Sequence, residues 1–216
     1  MGALGAIERS GGYATRPNAF KTMKNTHSTI RIIGGEWRGR KLPVLDVPGL
    51  RPSGDRCRET LFNWLQPYLP GADCADLFAG TGALGLEAVS RGAASVVMIE
   101  KHSAVVSCLD LNINHLHATR VHVLERDAIE WLAGVAKHSL DIVFVDPPFD
   151  EGLTPRVMHL LDTTDCVRPG GFVYLETPLS RDPVGPAPGW QTWREKAMGQ
   201  VRMQVLRRAE EPVAPG

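Results

Sequence analysis

Short apolar runs alternate with longer segments of helical periodicity through most of this chain. The apolar runs predict strands near residues 74–79, 95–100, 120–125, 140–146 and 171–177. The segments between them predict helices near residues 83–91, 102–118, 127–137 and 154–162. This alternation predicts an α/β fold, in which a doubly wound, mostly parallel sheet has helices on both faces.

The chain before the first of these strands has a different pattern. A helix is expected over residues 55–66, because Leu61, Phe62 and Leu65 share one side and Pro67 would end it. The residues before 29 are rich in Gly, Ser, Thr and Asn, a composition typical of disorder. We expect four segments: a disordered tail over 1–28, a basic segment over 29–70, the main domain over 71–208 and a tail over 209–216.

Composition limits the class of protein. With 216 residues, of which 43% are hydrophobic, the chain can bury one sizeable core. No apolar stretch approaches the roughly 20 residues of a membrane span, and the N-terminus lacks the apolar region of a secretory signal. We therefore expect a cytoplasmic protein without membrane attachment. No metal site is expected, because the four cysteines are far apart and the close pair His115 and His117 would face different directions on a helix.

The net charge is zero, which by itself argues against a nucleic-acid partner, but the charge is unevenly distributed. Residues 1–58 contain eleven Lys or Arg and four acidic residues, a balance of +7, and the remainder therefore carries 13 basic and 20 acidic residues, a balance of −7. A basic front segment beside an acidic body is suited to binding phosphates. The predicted RNA-binding residues are Arg31, Arg38, Arg40, Lys41, Arg51, Arg56 and Arg58. Alternatively, Arg51 and Arg56 pair with neighbouring acids such as Asp55 or Glu59.

The tetrapeptide Asp146-Pro147-Pro148-Phe149 directly follows an apolar run, at the end of a predicted strand, where open α/β sheets keep their chemistry. Because prolines lack an N–H, this turn exposes carbonyl oxygens that no neighbouring backbone donor has to satisfy. The Asp146 carboxylate and the Pro147 carbonyl could accept the two hydrogens of a nucleobase amine and pull its nitrogen toward a pyramidal, nucleophilic form. The base could stack on Phe149. The alternative is structural: the prolines end the strand and Asp146 caps the turn.

A glycine-rich turn that begins at Asp76 follows the first strand of the main domain. Gly80, Gly82 and Gly85 have the G-x-G-x-x-G spacing of dinucleotide-binding turns, so a nicotinamide or flavin enzyme is one hypothesis. Glu100, at the end of the next strand, would bind ribose hydroxyls both in such an enzyme and in one that uses S-adenosylmethionine. Asp76 favours S-adenosylmethionine, because a negative charge would oppose a pyrophosphate but attract an ammonium or a sulfonium. An amine-binding turn has no evident use in hydride transfer.

These two turns resemble those of class I, Rossmann-like S-adenosylmethionine methyltransferases. Within that class the chain resembles the RsmD-type family, which methylates a guanine N2 of 16S ribosomal RNA. The resemblance covers residues from about 29 to 208. It rests on the two turns and on the stretches Arg31-Ile32-Ile33-Gly34-Gly35, Trp37-Arg38-Gly39-Arg40-Lys41-Leu42, Leu50-Arg51-Pro52-Ser53, Asp55-Arg56-Cys57-Arg58-Glu59, Leu61-Phe62-Asn63, Arg194-Glu195-Lys196 and Gly199-Gln200-Val201.

The resemblance implies a seven-stranded sheet completed by a C-terminal antiparallel hairpin, and a small N-terminal extension that contacts RNA. It implies S-adenosylmethionine as cofactor and 16S RNA, within an assembling small ribosomal subunit, as partner; we expect a monomer. The implied cofactor contacts are the backbone at Phe78, Gly80, Thr81 and Gly82 for the methionine part, Asp76 for its ammonium, Glu100 for the ribose, and Lys101, Asp127 and Ala128 for the adenine. Core packing is an equal alternative for Phe78. Asp127 with Glu130 also resembles a capping box.

Other functions remain open from the sequence. An adenine-N6 nucleic-acid methyltransferase would use a similar Asp-Pro-Pro turn. A dinucleotide oxidoreductase predicts protection against heat by NAD(P) that S-adenosylmethionine does not give. A non-catalytic ribosome assembly factor predicts that Asp146→Ala leaves the cellular phenotype intact.

Overall fold

Helices and strands alternate in the order that the hydrophobic pattern predicts. The computed structural model describes residues 28–45, 54–148 and 152–210. Its strands are β1 (Ser28–Arg31), β2 (Lys41–Val44), β3 (Asp73–Asp76), β4 (Ser95–Glu100), β5 (Val121–Glu125), β6 (Leu140–Val145), β7 (Val167–Pro178), β8 (Trp190–Met198) and β9 (Val201–Arg208). Its helices are α1 (Asp55–Leu65), α2 (Ala83–Ser90), α3 (Ser103–Leu116), α4 (Ala128–Leu132) and α5 (Leu153–Thr164), with a 3-10 turn (Gln66–Tyr68) after α1.

Seven strands form one sheet in the order β5-β4-β3-β6-β7-β9-β8. The strands from β3 to β7 are parallel, whereas β9 is antiparallel to both β7 and β8. The predicted doubly wound sheet and the C-terminal antiparallel hairpin are therefore confirmed. The chain winds outward from β3 through β4 to β5 and then returns to place β6 on the other side of β3. The topological switch point, where open α/β sheets bind ligands, thus lies between β3 and β6.

Both faces of the sheet are covered. Helices α1, α2 and α3 and the β1–β2 hairpin pack on one side, called the first face, where Phe62 of α1 meets Phe144 of β6 with ring centroids 5.8 Å apart. Helices α4 and α5 pack on the second face, through residues such as Leu132 and Leu161. Because side chains alternate along a strand, residues in register with Phe144 on neighbouring strands also belong to the first face.

The basic segment is part of this packing. Ile30 of β1 and Leu42 of β2 are buried in the same hydrophobic cluster as Phe62 and Phe144. The hairpin and α1 therefore cover the first face directly, and the backbone that carries their charged side chains is anchored to the sheet.

Several element boundaries differ from those predicted. Helix α4 ends at Leu132, well short of the predicted residue 137. The chain turns directly after it, and the Gly134 N–H donates to the Trp131 carbonyl. Strand β7 begins at Val167, earlier than the predicted 171. A Cβ on Gly171 would lie 2.8 Å from the Asp141 carbonyl oxygen, so this glycine lets β7 pass close beside β6 at an irregularity in their register.

Candidate active site

The chain turns sharply between the end of β3 and the start of α2. Gly80 and Gly82 have φ values of 50° and 76°, in the left-handed region that glycine adopts without strain. The Gly82 N–H donates to the Ala79 carbonyl at 2.7 Å, and the Ala79 N–H donates to the Ile99 carbonyl at 2.9 Å. The turn is thus tied to itself and to β4, and it presents a bare backbone at the switch point.

Two glycines of this turn are also required by packing. A Cβ on Gly82 would lie 2.6 Å from Cδ2 of Leu109 in α3, and a Cβ on Gly85 would lie 2.6 Å from Sδ of Met98 in β4. Both distances are shorter than a van der Waals contact, so a larger residue would force the buried side chains of Leu109 and Met98 to shift. Close helix-on-sheet packing therefore explains part of the G-x-G-x-x-G spacing without a ligand.

Asp76 ends β3 beside this turn and is 1% exposed. Its Oδ2 accepts a hydrogen bond from the Gly85 N–H at 3.0 Å, whereas its Oδ1 has no hydrogen-bond partner among the described residues. Burial raises the pKa of this carboxyl to about 7. A buried carboxylate oxygen that lacks a partner next to the glycine turn fits the cationic end of a bound cofactor.

Glu100 ends β4 and joins the glycine turn to the start of α3. Its Oε2 accepts from the Gly80 N–H at 3.1 Å, and its Oε1 accepts from the His102 N–H at 2.9 Å and lies 2.8 Å from Nδ1 of the same residue. Carboxylate oxygens have further lone pairs, so these contacts leave capacity for ribose hydroxyls. His102 was not predicted as a site residue; its only signal in the sequence is its position two residues after the acid that ends β4.

Asp127 caps α4. Its Oδ1 accepts from the N–H groups of Ile129 and Glu130 at 2.8 and 3.2 Å, so the N-cap that the sequence suggested is confirmed. Its Oδ2 takes part in neither bond. Ala128, the first residue of α4, is buried, and Lys101, which follows β4, is exposed.

The Asp-Pro-Pro turn follows β6, on the strand next to the glycine turn. The register pairs Phe144 of β6 with Asp76 of β3, and the Leu77 N–H donates to the Phe144 carbonyl at 3.1 Å. Neighbouring strands lie about 4.8 Å apart, so the two turns leave the same edge of the sheet side by side. Asp146 comes two residues after Phe144 and is half-buried. The predicted proximity of the two turns is confirmed.

The rest of the tetrapeptide is only partly described. Pro147 is buried and Pro148 is exposed. Phe149 lies outside the described residues, so its stacking role stays a prediction.

A second carboxylate, which sequence reasoning missed, lies next to Asp146. Strand β7 pairs with β6 in the register Val145–Leu175, so Asp146, directly after β6, lies next to Glu176, which is two residues before the end of β7. Glu176 is 7% exposed, and its Oε2 accepts a hydrogen bond of 2.7 Å from the Tyr174 hydroxyl.

The start of α1 lies over this pair of carboxylates. Burial raises the pKa of the Cys57 thiol, in the first turn of α1, and the charges of Glu176 and Asp146 raise it further. The same causes raise the pKa of Tyr174. The first face of the sheet thus contributes two acids, a tyrosine and a helix start to the edge where the turns meet.

Most of the predicted RNA-binding residues that the structure describes are exposed: Arg31, Arg38, Arg40, Lys41 and Arg56. Of the predicted set, Arg51 lies outside the described residues.

Arg58 is a correction. It is 1% exposed, and its guanidinium donates to the Asp55 carboxylate at 2.6 Å and to the Arg31 carbonyl at 2.9 Å. A further nitrogen lies 3.6 Å from the carboxylate of Glu87, which is fully buried in α2. Such a group cannot reach a phosphate, so its role is to hold α1 against α2. Asp55 pairs with Arg58 and, at 3.1 Å, with Arg31. Its predicted pairing with Arg51 lies outside the described residues.

Glu87 anchors the turn of the β1–β2 hairpin. Its carboxylate accepts from the N–H groups of Ile33 and Gly34, both at 2.7 Å, and from Nε of Arg91 at 2.7 Å. A Cβ on Gly35 would lie 1.8 Å from the Ser90 carbonyl oxygen, so only glycine allows this approach. The basic hairpin is therefore fixed to the far end of the helix that begins at the glycine turn.

The described residues contain neither a metal site nor a membrane-spanning helix. Within residues 28–45, 54–148 and 152–210, no group of His, Cys, Asp and Glu side chains is suited to hold a metal ion. Among the helices that the structure describes, none has the length and apolar character needed to cross a membrane. Cys57, Cys74, Cys108 and Cys166 are buried free thiols.

The sequence of this chain is similar to those of known methyltransferases. Residues 30–207 match the family model described as "Conserved hypothetical protein 95". Ribosomal RNA small subunit methyltransferase D of Escherichia coli is 47% identical over 180 residues, which cover 83% of this chain and 90% of that protein. The Haemophilus influenzae protein of the same name is 39% identical over 184 residues, 84% of this chain and 95% of that protein. The chain belongs to the ribosomal RNA small subunit methyltransferase D family.

The structural comparison extends the family assignment to the fold. A solved structure from Escherichia coli that carries a provisional methyltransferase name superimposes with a TM-score of 0.77 at 45% identity, and the alignment covers 85% of this chain and all of that one. The sheet described above is therefore that of a class I methyltransferase, and this solved structure shares its overall fold.

Proposed function

We propose that this chain transfers the methyl group of S-adenosylmethionine to the exocyclic N2 of a guanine in 16S ribosomal RNA. The observation that carries the proposal is that the glycine turn with Asp76 and the Asp146-Pro147 turn end adjacent strands at the topological switch point. Membership of the ribosomal RNA small subunit methyltransferase D family supports methyl transfer rather than hydride transfer, and ribosomal RNA as the substrate.

The described residues fit S-adenosylmethionine, which when bound supplies an electrophilic methyl group on a sulfonium. The partnerless Oδ1 of Asp76 would accept from its ammonium. The Gly80 N–H already donates to Glu100, so this glycine would contribute its bare backbone surface rather than a hydrogen bond. The remaining contacts would come from the backbone at Phe78, Thr81 and Gly82 for the methionine part, Glu100 for the ribose hydroxyls, and Asp127 Oδ2, the Ala128 N–H and the stem of Lys101 for the adenine.

The acceptor guanine would be held at the second turn. The Asp146 carboxylate and the Pro147 carbonyl would accept the two N2 hydrogens, which directs the nitrogen lone pair at the methyl carbon, while Pro148 shapes the turn and Phe149 stacks on the ring. S-adenosylmethionine would supply the methyl group and depart as the neutral thioether, and Asp146, which is half-buried and reaches water, would take the proton that the N2 amine gives up. Alignment of nitrogen, carbon and sulfur supplies most of the rate, without a covalent enzyme intermediate or a metal.

The exposed basic residues would hold the RNA. A guanine that enters this edge has to leave its stack, at a cost of a few kcal/mol, and contacts from cationic side chains to the surrounding phosphates would offset that cost. The exposed side chains that the structure offers for this are Arg31, Arg38, Arg40, Lys41 and Arg56. With 16S RNA in an assembling small subunit as substrate, the enzyme would work in the cytoplasm, as a monomer.

Methylation of small subunits isolated from a strain that lacks the gene tests the proposal. Primer extension on 16S RNA, after incubation with the protein and S-adenosylmethionine, should give a new stop at one guanine. Asp146→Ala should lower the single-turnover rate at least about a hundredfold with little change in cofactor affinity, because it removes an acceptor of the reacting amine. Asp162→Ala, which removes an exposed carboxylate on α5, is the matched control and should be as active as the wild type.

Each alternative function predicts a different result in these experiments. A stop at an adenine would replace the guanine assignment with adenine-N6 chemistry. Thermal protection by NAD(P) and none by S-adenosylmethionine would indicate an oxidoreductase. An unmodified 16S RNA, together with a deletion phenotype that Asp146→Ala rescues, would indicate an assembly factor.

A further inference from the structure

Two carboxylates lie side by side at the acceptor side of the site, Asp146 directly after β6 and Glu176 within β7, and the proposed methyl transfer uses only one of them. Glu176 follows the register pair Val145–Leu175 by one residue, as Asp146 does, so the two acids stand on β7 and β6 at the same level. Glu176 shares the first face with Tyr174, Met203 and the start of α1. It is therefore directed to the side of the sheet from which RNA bound to the hairpin and α1 would approach.

A carboxylate at this position can accept several hydrogen bonds at once. The Tyr174 hydroxyl donates to Oε2, and a carboxylate has about four lone-pair sites, so it can accept from further donors beside its contacts within the fold. A nearly buried carboxylate is expensive unless several donors surround it, and a glutamine or a methionine would pack there at lower cost. An acid at the acceptor edge is therefore suited to a ligand that brings N–H donors.

The base edge that matches two neighbouring acids is that of guanine. Guanine presents N1–H and the N2 amine side by side, and both are donors, whereas adenine presents a lone pair at N1. With the N2 hydrogens on Asp146 and the Pro147 carbonyl, the adjacent N1–H would fall toward the next strand, β7. A carboxylate there accepts N1–H from guanine and repels the N1 lone pair of adenine.

We propose that Glu176 accepts the N1–H of the target guanine and is the residue that selects guanine over other purines, with Tyr174 as the positioning residue that orients its carboxylate. This inference rests on the proposed function, which it deepens by naming the residue that reads the base.

The test uses a purine that keeps the reacting amine but changes N1. Once primer extension has mapped the methylated guanine, small subunits are reconstituted with 16S RNA that carries either guanine or 2-aminopurine at that nucleotide. 2-Aminopurine retains the N2 amine and has a lone pair at N1. Single-turnover methylation rates on both particles are compared for the wild type, Glu176→Gln and the charge-matched control Glu210→Gln, an exposed acid after β9 that pairs with Arg207.

The wild type and Glu210→Gln should prefer guanine by roughly ten- to a hundredfold, because a carboxylate facing a lone pair leaves both unsatisfied. In Glu176→Gln the preference should fall at least about tenfold, since the amide can donate to N1 of 2-aminopurine and can still accept from Tyr174. An unchanged preference in Glu176→Gln would overturn the assignment. Stabilisation by S-adenosylmethionine in a thermal shift checks that the variant is folded.

If Glu176→Gln does not fold, a second variant, Glu176→Asp, tests the same assignment. Glu176→Asp keeps the charge but draws the carboxylate back by one methylene, so the guanine preference should fall at least about threefold; an unchanged preference would again overturn the assignment. If the wild type methylates no guanine in small subunits, the proposed function itself fails. If it methylates guanine with a preference that does not depend on residue 176, only this inference fails.

Discussion

Replacing Asp76 with asparagine should change how the stability of the cofactor-free protein depends on pH. Burial raises the pKa of this carboxyl from 3.8 to about 7. The folded protein therefore holds a proton that the unfolded chain releases, so the contribution of Asp76 to stability is fully present below pH 3.8 and is lost as the pH rises to about 7. The loss is about 1.4 kcal/mol per pH unit between the two pKa values and levels off above pH 7, which gives about 3 kcal/mol between pH 5 and pH 8. Asparagine does not titrate, and its carbonyl oxygen can still accept from the Gly85 N–H.

Urea unfolding at several pH values between 5 and 8 measures this difference. The free energy of unfolding of Asp76→Asn, relative to the wild type, should rise by about 3 kcal/mol across the range. Asp162→Asn, which removes an exposed carboxylate, controls for the loss of an acid. Parallel stability curves for Asp76→Asn and the wild type would refute the claim that a buried carboxyl titrates here. The same variant should bind S-adenosylmethionine more weakly than the wild type at pH 8, because only an ionised Asp76 attracts its ammonium.

Packing and charge give three further expectations. Arg58→Met should lower the free energy of unfolding by about 1–3 kcal/mol, since the Asp55 carboxylate and the Arg31 carbonyl lose a charged hydrogen-bond donor, whereas Arg56→Met should change it by no more than about 0.5 kcal/mol; equal effects in urea unfolding would contradict the burial of Arg58. Gly85→Ala should lower the free energy of unfolding by about 1–3 kcal/mol and Gly185→Ala, whose Cβ meets open space in the loop before β8, should not; two equally stable variants would argue against close packing on Met98. For binding to small subunits, alanine at the exposed hairpin residues Arg38, Arg40 and Lys41 should make the slope of log affinity against log salt shallower. The change should be about 0.7 for each phosphate that is no longer neutralised, with the rate at saturating subunits retained, and an unchanged slope would remove the hairpin from the RNA interface.

The sheet was predictable because its strands are buried on both faces and its helices have one apolar side. The order of strands followed from the rules for doubly wound sheets, and the C-terminal hairpin followed from the family resemblance. The ends of elements were less predictable. Nothing in the local sequence shows that Gly171 lies flat against β6, or that α4 leaves its helical path near Gly134, because both depend on what the neighbouring chain leaves room for.

The two turns of the candidate site could be predicted because each is continuous in sequence. Arg58 was assigned wrongly because charge was counted without regard to helical position. It lies three, four and seven residues before Leu61, Phe62 and Leu65, so it belongs to the buried side of α1, whereas Arg56 does not. Glu176 was missed because its importance depends on the pairing of β6 with β7, which brings it beside Asp146 from 30 positions away in the chain.

Helix α2 connects the glycine turn to the basic β1–β2 hairpin. It begins at the glycine turn and ends at Ser90, where the hairpin turn is bonded to it and to Glu87. Its eight residues span about 12 Å, and its buried Glu87 joins it to Arg58 of α1 and to the backbone of the hairpin turn. The length of α2 would therefore fix the distance along the RNA between the phosphates bound at the hairpin and the methylated nucleotide. Lengthening α2 by one turn would then shift the modified position and leave the chemistry intact.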